Sequence, residues 1–328
     1  MFAKISNSIK VNRSSEYFRF VIGQKELRLF VLLAAMVAIM AVLKPDTFFT
    51  STNLFNILRQ ISLITIVAVA QTLVIISGGI DLSVGFNLGL CGIIISYLLD
   101  AAFNPALAFF AGISAGLLIG LANGLIITLV KLPPFIVTIG MAYIARGLAF
   151  VVTEGFTIRV TNEFVSELAN GYVGPIPIMT IIMFVIVVIF SYILNHTPFG
   201  MKTKAVGGNI VAAKLSGINT VTHRLKIHVI GGILCGIAGL LMIGRLNAGN
   251  PNAGMNYDVD SIAATVVGGT SMNGGEGSIL GTLLGSMILG VMRNALVLLK
   301  VSMYWQTVVA GAIIIAVCSI DYLTNKNK

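Results

Sequence analysis

Charge is what this sequence lacks most. Asp, Glu, Lys and Arg make up 10% of its 328 residues, whereas a soluble domain carries about a quarter. Hydrophobic residues make up 57%, and the mean hydropathy is +0.97. These values exclude an ordinary soluble enzyme, a disordered chain and a nucleic-acid-binding domain. The net charge of +9 instead fits cytoplasmic loops that face anionic lipid, so we expect contact with a lipid bilayer and none with nucleic acid.

The residues of common catalytic and metal sites are scarce as well. The three cysteines, Cys91, Cys235 and Cys318, all lie in apolar runs without C-x-x-C spacing, which predicts small buried side chains. The sequence contains no Gly-Lys dipeptide, so it cannot form a Walker A loop. The three histidines form no H-E-x-x-H pattern. We therefore expect a chain that is not an enzyme and that binds no metal or cofactor itself.

Long uncharged runs predict an all-α polytopic membrane protein with about ten transmembrane helices. Helices are favoured because strands of a membrane barrel alternate in polarity over about ten residues. The predicted spans are residues 28–43, 54–77, 83–99, 106–130, 134–153, 177–194, 225–246, 260–272, 278–298 and 304–322. The organisation expected is a cytoplasmic tail over 1–27, then a single membrane domain over 28–325 with no soluble catalytic domain.

The distribution of Lys and Arg predicts the orientation. If the N-terminus is inside, fourteen of these residues lie on the inner side and three, Lys44, Arg159 and Lys300, on the outer side. The positive-inside rule then places both termini in the cytoplasm. Outer loops are predicted at 154–176 and before the eighth span, so Asp258 and Asp260 are expected on the outer face.

Two glycine-rich segments interrupt the hydrophobic pattern. The first reads GGIDLSVG over Gly78–Gly85, and the second reads GGTSMNGGEG over Gly268–Gly277. Broken helices often mark the substrate site of a transporter, because non-helical backbone at membrane depth must line a cavity or be buried in protein. A turn whose glycines supply positive φ is an equally open interpretation. The candidate residues of the path or of these breaks are Asp81, Ser83, Asn87, Arg146, Thr270, Ser271 and Asn273.

Three charges near or within the spans have alternative interpretations. Asp81 is predicted to cap the helix that starts near Ser83, with proton or ion coupling as the alternative for Asp81 and Glu276. Arg146 is a charge deep in the fifth span. It either lines the path or pairs with an acid or a backbone carbonyl inside the bundle.

Glycines repeat every four residues in two spans. Gly112, Gly116, Gly120 and Gly124 form one stripe, and Gly277, Gly281 and Gly285 form another. Such stripes allow two helix backbones to approach closely. They indicate either static tight packing or a surface that moves during transport.

A basic segment over residues 195–224 is long enough to have its own task. It contains the sequence GGNIVAAKLSGIN, in which Asn209 is a plausible N-cap and Gly217 a plausible C-cap. This predicts one short exposed helix, which is suited to a groove on another protein.

Three segments resemble the permease subunits of ATP-binding-cassette importers of the ribose, xylose, arabinose and allose class. They are SGGIDLSVG at Ser77–Gly85, GMKTKAVGGNIVAAKLSGIN at Gly200–Asn219, and VVGGTSMNGGEGSILGTLLGSMILG at Val266–Gly290. Shorter similarities lie at Asn53–Leu63, at Arg146 with Gly147, and at Tyr257 with Asp258. The resemblance covers the chain from about residue 28. Glu276 departs from the pattern, because the resemblance implies a basic residue at that position.

The resemblance implies a bacterial inner-membrane permease with several partners. Two copies would form the path for a monosaccharide, two separate ATPase subunits would use ATP and Mg, and a periplasmic sugar-binding protein would dock on the loops near 154–177 and 247–260. The segment Gly207–Gly217 corresponds to the family's coupling helix. The residues implied to contact the ATPase are Gly207, Gly208, Asn209, Ala212, Ala213, Leu215, Ser216 and Gly217.

Two other functions stay open at this point. A related importer for a branched-chain amino acid, a nucleoside or a furanosyl signal would share the spans and the coupling segment. An ion-coupled secondary transporter would need no ATPase, and it predicts buried carboxylates that titrate during transport.

Overall fold

The computed structural model describes residues 25–326, with only the backbone described at 25, 314, 317, 318 and 320–326. Most of the predicted cytoplasmic tail, residues 1–24, and the side chain of Cys318 lie outside the described part. Within it, the chain forms fourteen α-helices and four short strands. Polytopic all-α architecture is thereby confirmed.

The helices follow one another with short connections. They are α1 Lys25–Leu43, α2 Pro45–Phe48, α3 Ser51–Ile76, α4 Val84–Asp100, α5 Pro105–Leu125, α6 Pro134–Thr153, α7 Glu163–Asn170, α8 Ile178–His196, α9 Pro198–Gly208, α10 Ile210–Leu215, α11 Thr220–Leu246, α12 Tyr257–Val267, α13 Ile279–Leu298 and α14 Met303–Lys326. A π-helix, Ile126–Val130, continues α5.

The strands tie loops together at one end of the bundle. β1 (Ile158–Arg159) pairs antiparallel with β4 (Ala248–Gly249), and β2 (Tyr172–Val173) pairs with β3 (Ile176–Pro177). The other end of the bundle is formed by residues 77–83, 131–133, 197–219 and 268–278, and we call it the basic end. We call the end that carries the strands the opposite end.

Each of the ten predicted spans coincides with a helix, but one is shorter than expected. Among the described residues, seven helices are long and apolar enough to cross a membrane, and α4 is a shorter apolar helix of 17 residues. The predicted eighth span, 260–272, is wrong in extent, because α12 ends at Val267 after 11 residues. At 1.5 Å per residue α12 is about 16 Å long, roughly half of the hydrocarbon core.

Helix α3 forms the centre of the bundle. Its side chains are buried continuously from Ile61 to Ile76, and α8, α11, α12 and α13 all pack against it. A helix that is apolar on every side is stable only when other helices surround it in this way. The few polar side chains of α3 hydrogen-bond inside the bundle; for example, the Thr72 hydroxyl lies 2.7 Å from that of Thr282.

The glycine stripe of α5 packs against α11, in the largest helix–helix interface of the described part. A methyl group on Gly116 would overlap the carbonyl oxygen of Gly232. Close backbone approach at this stripe is therefore confirmed. Static packing is sufficient to explain it.

Replacing Gly116 with Leu should lower the free energy of unfolding by about 1–3 kcal/mol, because the added side chain meets backbone that cannot move aside. Thermal unfolding in detergent measures the effect. Gly140→Leu is the matched control, since open space surrounds Gly140 and the substitution gains about 1 kcal/mol of helix propensity. Equal unfolding temperatures for the two variants would contradict the packing of α5 on α11.

Candidate functional site

The short helix α10 has the caps that its sequence predicts. The Asn209 side chain accepts hydrogen bonds from the backbone N–H groups of Val211 (3.0 Å) and Ala212 (2.9 Å), and Gly217 has a φ of +81° just beyond the helix. Leu215 is 85% exposed, and an apolar side chain so exposed is suited to contact with another protein. Ala213 is buried in this chain, because a helix of six residues turns one face inwards, and its contact with a partner stays a prediction.

A set of glycine backbones joins α9 to both glycine-rich breaks. We call Gly78, Gly207, Gly208, Gly274 and Gly275 the glycine junction. The Gly275 N–H donates to the carbonyl of Ile76, the last residue of α3 (2.8 Å), and a methyl group on Gly207 would overlap that same carbonyl. Arg224 of α11 donates to the carbonyl of Gly78 (3.0 Å). Gly207 and Gly208 end α9, so the residues immediately before α10 lie against both breaks.

Asp81 belongs to a buried polar network rather than to a simple cap. Its carboxylate accepts from the Ser83 N–H (2.8 Å) and the Ser83 hydroxyl (2.6 Å), and lies 3.4 Å from Nδ1 of His228 on α11. The Asn123 amide of α5 donates to the Ser83 hydroxyl (2.8 Å). The side-chain amide of Gln71 of α3 donates from its nitrogen to the backbone carbonyl of Asp81, and its oxygen accepts from the backbone N–H of Asp81. The network therefore holds the first break against α3, α5 and α11.

The remaining candidates from the two breaks do not share one open cavity. Asn87, Thr270 and Ser271 are buried, and Asn273 is exposed at the basic end. The Asn87 amide lies 3.5 Å from the carbonyl of Gly116, which joins α4 to α5. In this conformation Asp81, Ser83 and these three buried residues contact protein, so the structure does not bring them together as the wall of a path.

The segment over residues 247–256 descends into the bundle instead of staying at the opposite end. It starts in β4, where Gly249 packs on Ser96 of α4, and continues until the backbone of Gly254 packs on Gly85 and Gly89. Along α4, Ser96 and Gly85 are about 16 Å apart at 1.5 Å per residue. We call residues 247–256 the re-entrant segment. The expectation that all of 247–260 forms an outer loop is wrong.

Two acids that the sequence placed on the outer face lie within the bundle as a result. Asp260 is buried and pairs with Arg293 of α13. Asp258 lies beside the start of α4, because its backbone N–H is next to Gly85. Both acids lie inside the bundle because the re-entrant segment descends along α4 and places the start of α12 below the surface.

Arg146 and Asp258 line the same cavity of about 240 Å³, together with Leu82, Phe86, Ile139, Ala142, Tyr143 and Met255. The Arg146 guanidinium lies over the rings of Phe86 (5.4 Å) and Phe150 (5.7 Å). Within the described part of the chain, neither charge forms an ion pair. The predicted pairing of Arg146 with an acid is therefore not formed, and Arg146 faces this cavity.

Sequence reasoning missed His228, Asp258 and the re-entrant segment. A histidine in an apolar helix is itself a signal, since an ionisable group at membrane depth needs a partner. The identity of that partner, 147 positions away, required the fold.

One family profile, described as the permease component of the branched-chain amino acid transport system, matches residues 53–318. The match runs through the glycine junction, α10 and the re-entrant segment. No solved structure gives a significant match to the chain.

Curated relatives cover nearly the whole chain. The ribose import permease protein of Bacillus subtilis (strain 168) is 39% identical over 294 residues, which are 89% of this chain and 91% of the relative. The D-allose transport system permease protein of Escherichia coli (strain K12) is 34% identical over 311 residues, 94% and 95% of the two chains. The fructose import permease protein of Rhizobium meliloti is 35% identical over 307 residues, 91% and 85%.

A double-mutant cycle should detect the contact between Asp81 and His228. We expect Asp81→Asn and His228→Gln to be coupled by about 1 kcal/mol or more in unfolding free energy, because they remove the two ends of one buried interaction. Chemical unfolding in detergent gives the four free energies. His196→Gln replaces His228→Gln in the control cycle, since His196 is exposed at the basic end. Additive effects in the first cycle would contradict the network.

Proposed function

The chain belongs to the family of permease components of the branched-chain amino acid transport type, and from this premise we propose that it is the membrane subunit of an ATP-driven sugar importer. It is a multi-pass protein of the inner membrane and a non-catalytic transport subunit. ATP and Mg are used by separate ATPase subunits, and two copies of this chain form the translocation path.

The observation that carries the proposal is the position of α10. An apolar side chain that is 85% exposed, Leu215, projects from a capped helix of the basic end, and the residues just before that helix pack on the carbonyl of Ile76. A partner that binds α10 and then moves would displace the glycine junction and thereby both breaks. This geometry supports transport driven from outside the chain.

The charge distribution supports the orientation of this machinery. The basic end faces the cytoplasm by the positive-inside rule, so the ATPase subunits bind there, at Asn209, Ala212, Leu215 and Ser216. The opposite end, with residues 154–177, then faces the periplasmic binding protein. In this orientation, the part of the re-entrant segment that descends along α4 lies inside the translocation path. That part does not contribute to the surface on which the binding protein docks.

A monosaccharide is the substrate that the relatives favour. Proteins with at least 34% identity over most of the chain are named for ribose, allose and fructose. The family description names branched-chain amino acids, which makes such an amino acid the second candidate.

Reconstitution into proteoliposomes with the ATPase and binding protein encoded beside this gene tests the proposal. We expect uptake of radiolabelled D-ribose, D-allose or D-fructose that requires ATP hydrolysis. Uptake of L-leucine in place of the sugars would favour the second candidate. Sugar uptake driven by a proton or sodium gradient without the ATPase would overturn the proposal.

In the same system, Leu215→Glu should lower ATP-dependent uptake at least about tenfold, because a charge would be buried in the groove that receives α10. Leu215→Met is the matched control and should retain most of the uptake, since it conserves volume and polarity. Co-purification of the ATPase reports binding directly. Full uptake by Leu215→Glu would remove α10 from the interface.

Gly207→Ala tests the connection between α10 and the breaks. The added methyl group meets the Ile76 carbonyl, so we expect the ATPase to bind normally while uptake per ATP hydrolysed falls several-fold. Gly208→Ala places the same group at ordinary contact distance, 3.9 Å from the Cα of Gly275, and should behave as the parent chain. Identical coupling ratios for the two variants would show that the glycine junction transmits nothing.

A further inference from the structure

We propose that the cavity between α4, α6 and α12 is a contact site for the monosaccharide on its way through the bundle, with Arg146 and Asp258 as its hydroxyl-binding groups. The inference rests on the proposed function for the identity of the ligand. We call the cavity, lined by Phe86, Tyr143, Arg146, Met255 and Asp258 among others, the mid-bundle cavity.

The mid-bundle cavity lies deep in the bundle. Asp258 lies beside Gly85, and Gly85 is 15 residues from Asp100 at the opposite end of α4, about 22 Å along the helix axis. The hydrocarbon core is about 30 Å thick, so the mid-bundle cavity lies within it. Arg146 shares the cavity and is seven residues from the end of α6 at Thr153, about 10 Å along that helix, so the cavity extends over depths of about 10–22 Å from the opposite end.

The open side of the cavity does not face lipid. A charged side chain in lipid is expensive, and Arg146 and Asp258 both line this cavity without forming an ion pair within the described part of the chain. Met255 adds non-helical backbone of the re-entrant segment, which is tolerated at this depth only in protein or beside water. The two observations together exclude lipid and leave protein or water. With two copies forming the translocation path, as proposed above, the open side of the cavity faces that path.

The lining residues match the chemistry of a neutral sugar. A neutral sugar offers hydroxyl groups that both donate and accept, together with C–H faces. The Arg146 guanidinium supplies donors only, the Asp258 carboxylate supplies acceptors only, and Phe86 and Tyr143 supply aromatic faces. A volume of about 240 Å³ lies below the roughly 300–1,000 Å³ of pockets for drug-sized ligands. This combination fits one small polyhydroxylated molecule and lacks the second cation that an anion would favour.

Uptake by reconstituted variants gives the functional test. Arg146→Gln and Asp258→Asn should each lower D-ribose uptake per ATP hydrolysed about tenfold, the loss of one hydrogen bond to a charged group. Phe86→Leu should lower it several-fold. The matched controls are Arg28→Gln and Phe110→Leu, which change exposed side chains of α1 and α5 outside this cavity and should transport as the parent does.

A labelling measurement keeps the site testable even where a variant folds poorly. Met255→Cys, at a side chain 52% exposed in the cavity, should react in proteoliposomes with a charged methanethiosulfonate reagent, whereas Phe110→Cys should not. The parent chain, with its own cysteines, gives the background. Excess D-ribose with binding protein and ATPase should slow the reaction of Met255→Cys at least threefold, and sucrose should not.

The outcomes separate the two proposals. If the parent chain imports no sugar, the proposed function fails, and labelling of Met255→Cys still reports whether the cavity holds water. If the parent imports D-ribose while the three cavity variants match their controls, or while Met255→Cys is unlabelled or unprotected, the mid-bundle cavity is not a sugar contact site. With D-allose or D-fructose as the transported sugar, that sugar replaces D-ribose in every arm.

Discussion

An unpaired backbone amide or carbonyl in hydrocarbon costs several kcal/mol, so a membrane helix breaks only where other protein atoms complete its hydrogen bonds. This chain leaves helical structure after α3 and after α12 at the basic end, where the two breaks lie together and one completes a backbone hydrogen bond of the other. The Gly275 N–H bonds the Ile76 carbonyl, and Gly207 packs on the same carbonyl. Both breaks and the end of α9 therefore meet at one carbonyl, through one hydrogen bond and one close packing contact. This arrangement supports the proposed mechanical coupling to α10.

The same requirement applies where the re-entrant segment enters the bundle. The segment carries backbone polar groups to the depth of Gly85, the two carboxylates at the start of α12 follow it, and the protein compensates for these carboxylates unequally. Asp260 receives Arg293 as a partner and becomes part of the packing. Asp258 receives no ion pair among the described residues, although Arg146 lines the same cavity. Two charges held near each other without pairing are suited to a transient ligand, because binding need not first break an internal salt bridge.

Local patterns predicted what depends on local physics. The caps of α10 at Asn209 and Gly217, and the close approach at Gly116, follow from neighbouring residues or from helical spacing alone. Three features could not be predicted this way. The end of α12 at Val267 was predicted five residues too late, because residues 268–272 carry no charge and an uncharged run does not show where a helix ends. The re-entrant segment has the composition of an ordinary surface loop. The pair of Asp81 and His228 joins positions that only the packing of α11 on the first break brings together.

The surroundings of Asp81 also bear on the source of energy for transport. A carboxylate that couples an ion gradient must exchange its cation with water on alternating sides of the membrane. Asp81 is buried, both of its oxygens are engaged by Ser83 and His228, and Gln71 fixes its backbone. Releasing it would disrupt contacts to three helices at once. A group held so firmly acts as an anchor for the first break, which agrees with the proposal that the driving force enters at the exposed face of α10. In that proposal the substrate meets the other polar site, at Arg146 and Asp258, whose charges form no ion pair within the described part of the chain.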